Sequence, residues 1–289
     1  MKEKLRQQAR EQAREKAETY LKDLSIEEQA MLLKYESPAI PKAGIPEYNW
    51  WNEALHGVAR AGTATVFPVP IAMAASFDEE LVKEIGDCIS TEGRAKYNGF
   101  QREKDYDIYK GLTYWSPNIN IFRDPRWGRG HETYGEDPYL TGICAVQITK
   151  GVQENHPVRV CPKHFAVNEQ ETYRRGSAKK RYDAVDSILT ERALRELYLK
   201  PFEMLVRDAG VSFIMTSFNK INGVLAAGNR DLCTHILREE WNFDGVVVTD
   251  WGDMDIVVDG ADAVAAGNDI VMPGGPPVIR QILKGYEEG

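Results

Sequence analysis

Gly245-Val246-Val247-Val248-Thr249-Asp250-Trp251-Gly252 joins a run of small and β-branched apolar residues to a carboxylate, an indole and a glycine. A valine run without polar alternation predicts a strand covered on both faces, as in a parallel sheet. A carboxylate where such a strand stops lies at the rim of the sheet, where α/β folds place their chemistry. On this stretch alone a second reading has equal weight. Asp250 could instead cap a following helix, predicted over 254–266, because Asp side chains accept the free N–H groups of helix starts.

Outward from this strand the pattern alternates. Upstream, 211–216 reads as a strand and 229–241 as a helix. Before them, 158–161 is a strand ending in Pro162-Lys163-His164, and 190–209 is a helix. Further back, 112–118 is a strand and 139–152 a helix, with a loop rich in Arg, Gly and Pro between them. Tyr48-Asn49-Trp50-Trp51-Asn52-Glu53 reads as a short aromatic strand, and 66–75 as another apolar stretch. Ser76 and Asp78 open a helix to about Tyr97. Downstream, 269–272 is a strand and a last helix starts at Pro277. About seven strand–helix alternations without a long linker predict an α/β fold, a single-domain TIM-like (β/α) barrel, usually ~250 residues. A doubly wound open sheet is the runner-up, but no G-x-G-x-x-G follows a first strand.

Residues 1–24 precede this domain, which spans 25–289. They predict an N-terminal amphipathic helix, with Leu5, Ala9, Ala13, Ala17, Leu21 and Leu24 at helical spacing. Ser25 and Glu28 form a capping-box pattern for a second, short helix.

The 289 residues are 43% hydrophobic and 28% charged, ordinary for a soluble globular protein. A net charge of −8 argues against nucleic acid or an anionic membrane as the main partner. The highly charged start lacks a signal peptide, so a cytoplasmic location is expected. The 4 Cys and 5 His are scattered without metal-ligand spacing, so neither a metal nor another cofactor is expected.

In a barrel the loops after the strands build the site. They supply Glu53 and His56, then Arg123, Asp124, Arg126, Arg129, Glu132 and Glu136. Next come Lys163, His164, Asn168, Glu169, Glu171 and Arg174, then Ser217, Phe218 and Asn219, and finally Asp250, Trp251 and Asp253. An indole beside carboxylates and forked Arg donors suits a sugar, whose ring has an apolar face and a polar edge. Plainer roles compete: Arg123 and Asp124 as a structural ion-pair loop, Glu132 and Glu136 as solvated or capping groups, His56 as a packing histidine. Lys163 after a strand is harder to dismiss, because a buried Lys needs a reason. It could form a Schiff base, as in barrel aldolases, or hold hydroxyls and keep a nearby carboxylate ionised.

Five motifs at these positions resemble the catalytic barrel of glycoside hydrolase family three, the β-glucosidases and β-xylosidases. They are Tyr48-Asn49-Trp50-Trp51-Asn52-Glu53-Ala54-Leu55-His56-Gly57, Asp124-Pro125-Arg126-Trp127-Gly128-Arg129 and Gly135-Glu136-Asp137-Pro138-Tyr139. The others are Lys163-His164-Phe165 with Asn168-Glu169-Gln170-Glu171 and Arg174, and Val248-Thr249-Asp250-Trp251. The resemblance implies that Asp250 is the nucleophile of a retaining β-glycosidase acting on β-glucoside or β-xyloside oligosaccharides. It implies that Glu53, Arg129, Lys163, His164, Arg174, Met215 and Trp251 contact the non-reducing-end sugar. Most of the family takes its acid/base Glu from a C-terminal α/β domain, which is absent from 1–289, so weak activity is expected. Phe218 stands where relatives usually carry Tyr. The first half resembles the xylosidase branch and the second the glucosidase branch, as in a recombined or engineered isolated barrel. The rival of another class is a non-catalytic sugar-binding or scaffold barrel.

Overall fold

The computed structural model describes residues 2–176, 183–252 and 258–289. It is a mixed α/β fold in which most strand pairs are parallel. The valine run forms the strand Val246–Val248. It pairs in parallel with Phe213–Met215, and Val248 bridges in parallel to Ile270 on its other side. Neighbour leads to neighbour from there. Phe165 bridges to Thr216, Lys163 to Asn118, and Arg159–Val160 pairs with Thr113–Tyr114. Tyr114 bridges to Asn52, Trp50 N–H donates to Tyr35 O (2.8 Å), and Lys34 bridges to Val271.

Successive residues of these strands enter different apolar clusters. Val160, Ile214 and Val247 pack outward among helix side chains such as Phe202 and Leu237. Cys161, Phe213, Met215 and Val248 pack inward with Trp115, Ile270 and Met272. Burial on both faces is why the sequence shows an unbroken apolar run.

The helices behind the strands begin where capping side chains permit. Asp78 accepts from Leu81 N–H (3.0 Å) to open Glu79–Glu103, and Asp137 accepts from Leu140 N–H (2.6 Å) to open Pro138–Glu154. These two helices cross closely through glycine. A Cβ on Gly151 would lie 2.0 Å from Lys83 O, and one on Gly86 would lie 2.6 Å from Ile148 O.

Several elements differ from expectation. The predicted helix 190–209 is α-helical only at Glu191–Ala193 and Lys200–Met204, with wider π-type turns at Leu194–Tyr198 and Leu205–Ala209. Pro201 has no N–H to donate, and its ring presses on the preceding turn, which widens. Asp231–Glu240 is also π-type. The stretch 66–75 holds a short helix, Pro70–Ala74, started by its proline. A strand precedes the predicted first one: Glu36–Ser37 pairs antiparallel with Tyr48–Asn49. Between the strand expected at 158–161 and the helix expected from 190, a further strand forms: Asp186–Ser187 pairs with Lys220–Ile221, which pairs with Val224–Leu225.

The start of the predicted helix 254–266, and Asp253, lie outside the described residues. The described part is Gly260–Ala266, capped by Asp259, whose side chain accepts from Ala261 N–H (2.9 Å). The leading helix is Lys2–Leu21. From Glu11 to Thr19 it is exposed, Ala13 and Ala17 included, and Leu21 is exposed as well. Among the described residues no helix is long and apolar enough to cross a membrane.

Candidate active site

The strand ends converge on one cavity of about 860 Å³. Glu53, Arg129, Lys163, His164, Arg174, Met215, Asp250 and Trp251, dispersed over some two hundred positions of sequence, all line it. Each charged group is set by a partner. Trp51 donates its indole N–H to Glu53 Oε1 (2.9 Å), and Lys163 Nζ faces Glu53 Oε2 at 3.8 Å.

Arg129 ends a loop that turns back at Gly130–Glu132. Its Nε and Nη2 donate to Glu132 Oε1 and Oε2 (2.9 and 2.8 Å), a two-point clamp on the guanidinium plane. Arg174 Nε forms an ion pair with Glu171 Oε2 (3.0 Å), and Trp127 holds the other oxygen of Glu171 through its indole N–H (3.0 Å). Phe218 is buried behind Arg174, whose guanidinium carbon lies 4.9 Å from the ring centroid.

The aromatic wall is continuous. Trp51 stacks on Trp115 (4.9 Å between centroids, 13° between planes) and meets Trp251 at 4.4 Å, and Tyr35 packs edge-on against Trp251. Each of these indoles restricts the next, so the wall is rigid before any ligand arrives.

Asp250 is buried where the valine strand ends. Its Oδ1 accepts from Trp251 N–H (2.7 Å), and its Oδ2 has no hydrogen-bond partner. Burial pushes its carboxyl above the ordinary Asp value, and the opposing effects of Arg174, Lys163 and Arg129 do not cancel that. This corrects the expectation that the nearby cations hold the carboxylate low. Without ligand, desolvation outweighs them. His164 Nε2 stands 3.9 Å from Asp250 Oδ2. Burial, reinforced by Arg129, Lys163 and Arg174, holds His164 well below its ordinary value, so it is neutral. Burial also works to raise Glu132, but its hydrogen bonds and charge contact with Arg129 leave it below the ordinary Glu value.

Of the other expected positions, His56 also lines the cavity, with Nδ1–H donating to Phe67 O (2.8 Å). Arg126 and Asp124 form an exposed ion pair, and Arg123 pairs with buried Glu169. Neither pair lines the cavity. Glu136 is exposed. Glu132, Trp51 and Trp115 are cavity residues that the sequence argument discounted or did not single out. The signal for Glu132 was its spacing of three from Arg129 across a tight turn. Among the described residues no cluster of three or more His, Cys, Asp or Glu could hold a metal.

An unpartnered acceptor on Asp250 and an unpartnered buried Nη1 on Arg174 line the same cavity as the indole wall. Such groups await a ligand that both donates and accepts and also has an apolar face. Residues 24–288 match the profile of the "Glycosyl hydrolase family 3 N terminal domain". A xylan 1,4-beta-xylosidase from Xylanibacter ruminicola is 44% identical over 243 residues, which cover 79% of this chain and 27% of that protein. A probable exo-1,4-beta-xylosidase from Aspergillus terreus is 38% identical over 285 residues, covering 88% and 36%. The structure of Thermotoga neapolitana beta-glucosidase 3B in complex with glucose superposes with a TM-score of 0.80 at 30% identity, over 95% of this chain and 40% of that one. An exo-beta-xylosidase in complex with a xylobiose aziridine probe gives 0.80 at 30%, over 92% and 36%. The chain thus spans about a third of the length of the curated relatives it matches. From its profile match, its relatives and its cavity together, the chain belongs to glycosyl hydrolase family 3.

Proposed function

We propose that the strand circuit is a TIM-like (β/α) barrel over 25–289, led by the separate helix within 1–24, and that its cavity is the sugar site of a retaining β-glycosidase. The supporting observation is Asp250, whose buried Oδ2 has no protein partner and faces the cavity beside three cations and the indole wall. Asp250 attacks the anomeric carbon of a non-reducing-end β-glucoside or β-xyloside as its leaving-group oxygen departs. Water then cleaves the glycosyl ester. Arg129, Arg174, Lys163, His164 and Glu53 take sugar hydroxyls, while Met215 and Trp251 bound the ring.

The first step also needs a proton donor. Of the described carboxylates lining the cavity, Glu53 faces Lys163 and Glu132 is clamped to Arg129. Neither is a free acid. A C-terminal α/β domain is the proposed source, and without it natural substrates lose ~10²–10⁴-fold in rate. Aryl glycosides with good leaving groups escape most of that loss. The test is release of dinitrophenol from the β-glucoside and the β-xyloside by 1–289 and by Asp250→Ala. Turnover that disappears in the variant supports the reading, and equal rates sink it.

The absence of a free acid among those cavity residues also favours a second reading, a non-catalytic sugar-binding barrel. Calorimetry with glucose and xylose separates the two. Binding without turnover of either dinitrophenyl glycoside would favour the second.

A further inference from the structure

Asn120 makes three contacts with His164 and none with the cavity. Its Nδ2 donates to His164 O (2.8 Å), and its Oδ1 accepts from His164 N–H (2.9 Å). These two backbone bonds settle the orientation of the amide, because reversing it would set donor against donor and acceptor against acceptor. The oxygen so fixed lies 2.9 Å from His164 Nδ1. An amide oxygen only accepts, so Nδ1 must carry a proton. A neutral imidazole has one N–H, which leaves Nε2 bare.

Asn168 is the competing neighbour, with Nδ2 at 3.4 Å from Nδ1 and Oδ1 without a partner. Were Nδ1 bare to accept from it, two lone pairs would meet at 2.9 Å opposite Asn120. The shorter contact decides. Turning the Asn168 amide over brings its idle oxygen to the same proton, so both asparagines agree.

We propose that Asn120 is a positioning residue that locks His164 as the Nδ1–H tautomer, so that His164 Nε2 and Asp250 Oδ2 form a gap lined by two acceptors that takes a donating hydroxyl of the ligand. At 3.9 Å the two atoms are not bonded to each other, and neither can donate across the gap while Asp250 is ionised. The gap rejects a group that only accepts, such as a ring oxygen or an ether. It selects a free hydroxyl beside the reacting carbon. The hydroxyl part of this inference rests on the sugar reading of the cavity; the tautomer does not.

The test is long-range ¹H–¹⁵N correlation of the histidine side chains at neutral pH. The chain has 5 His, and the His164 peaks are identified by their loss in His164→Gln. The expected pattern is a protonated Nδ1 and an unprotonated Nε2. A protonated Nε2, alone or as imidazolium, would overturn the proposal. In Asn120→Leu the Nδ1–H pattern should give way to a mixture or to Nε2–H, and in Asn120→Asp, which keeps an acceptor at Nδ1, Nδ1 should stay protonated even where the added carboxylate draws a second proton to Nε2. An unchanged pattern in Asn120→Leu, or an unprotonated Nδ1 in Asn120→Asp, would contradict the positioning role. If the Leu variant does not fold, wild type and Asn120→Asp still decide. Adding xylose or glucose should move the Nε2 resonance of wild type. An intact tautomer with no movement under either sugar would overturn the hydroxyl contact, whether or not the chain turns over substrate.

Discussion

Asp250 Oδ2 and His164 Nε2 face each other across 3.9 Å at the floor of the cavity, close enough to share a ligand atom and too far to bond directly. Oδ2 therefore takes no hydrogen bond from the protein, and burial disfavours its charge more than the nearby cations favour it. That arrangement makes the acid limb of the pH–rate profile diagnostic. The nucleophile acts only when ionised, and its carboxyl sits above the ordinary Asp value because burial exceeds the pull of Arg174, Lys163 and Arg129. For an aryl glycoside, kcat/KM should rise with pH through a midpoint above ~3.9, the unperturbed Asp value. A limb at or below that value would contradict the burial argument.

Glu132 clamps Arg129 through two hydrogen bonds. Glu132→Gln replaces one accepting oxygen with a donor and frees the guanidinium to rotate. Hydrogen bonds to charged groups contribute about 1.5–3 kcal/mol, so kcat/KM should fall roughly 10–100-fold. Steady-state kinetics with an aryl glycoside measure this, and a loss under about two-fold would show that Arg129 needs no clamp.

Glu169 is buried away from the cavity, and its Oε1 has no partner. Burial raises its pKa to about 7, and the bond from Arg123 only partly opposes this. The folded value lies above the unfolded one, so the folded chain binds more protons between them. The stability Glu169 contributes is complete below ~4.3 and is lost as pH rises through about 7. Glu169→Gln keeps an acceptor for Arg123 and removes the titration. Its advantage over wild type in thermal unfolding should grow between those values, toward about 3 kcal/mol at the alkaline end. A constant difference across the range would refute this.

Gly151 lets the helices Glu79–Glu103 and Pro138–Glu154 touch backbone to backbone. A methyl there meets Lys83 O at 2.0 Å, and the helices must part. Gly151→Ala should destabilise by about 1–3 kcal/mol despite the better helix propensity of Ala. Denaturant unfolding checks it, with an unchanged midpoint as the contrary result.

The parts of this site legible in sequence were those fixed by local pattern. The run Val246–Val248 announced a strand buried on both sides, and residues just after such strands announced where polar groups collect. Lys163, His164 and Asp250 were found that way, and Arg129 and Arg174 through the loop motifs. Other features depend on contacts that sequence spacing does not show. Lys34–Ser37 has no apolar pattern of its own, because it is short and carries polar residues beside its single aromatic. The turns around Pro201 widen within a segment whose helical period looks unbroken. Glu132 looks like a solvated carboxylate until the loop folds it onto Arg129. The balance at Asp250 was misjudged for a similar reason. Counting cations in sequence suggests a lowered carboxyl, whereas the depth of burial, known only from packing, reverses the sign.

The central claim is that Asp250 becomes glycosylated. Mass spectrometry of the chain quenched during turnover of a dinitrophenyl β-xyloside or β-glucoside, followed by peptide mapping, reads this directly. The account predicts one sugar residue added to the peptide containing Asp250, and no addition in Asp250→Ala. Turnover with no adduct on that peptide, or an adduct on another carboxylate, would contradict it.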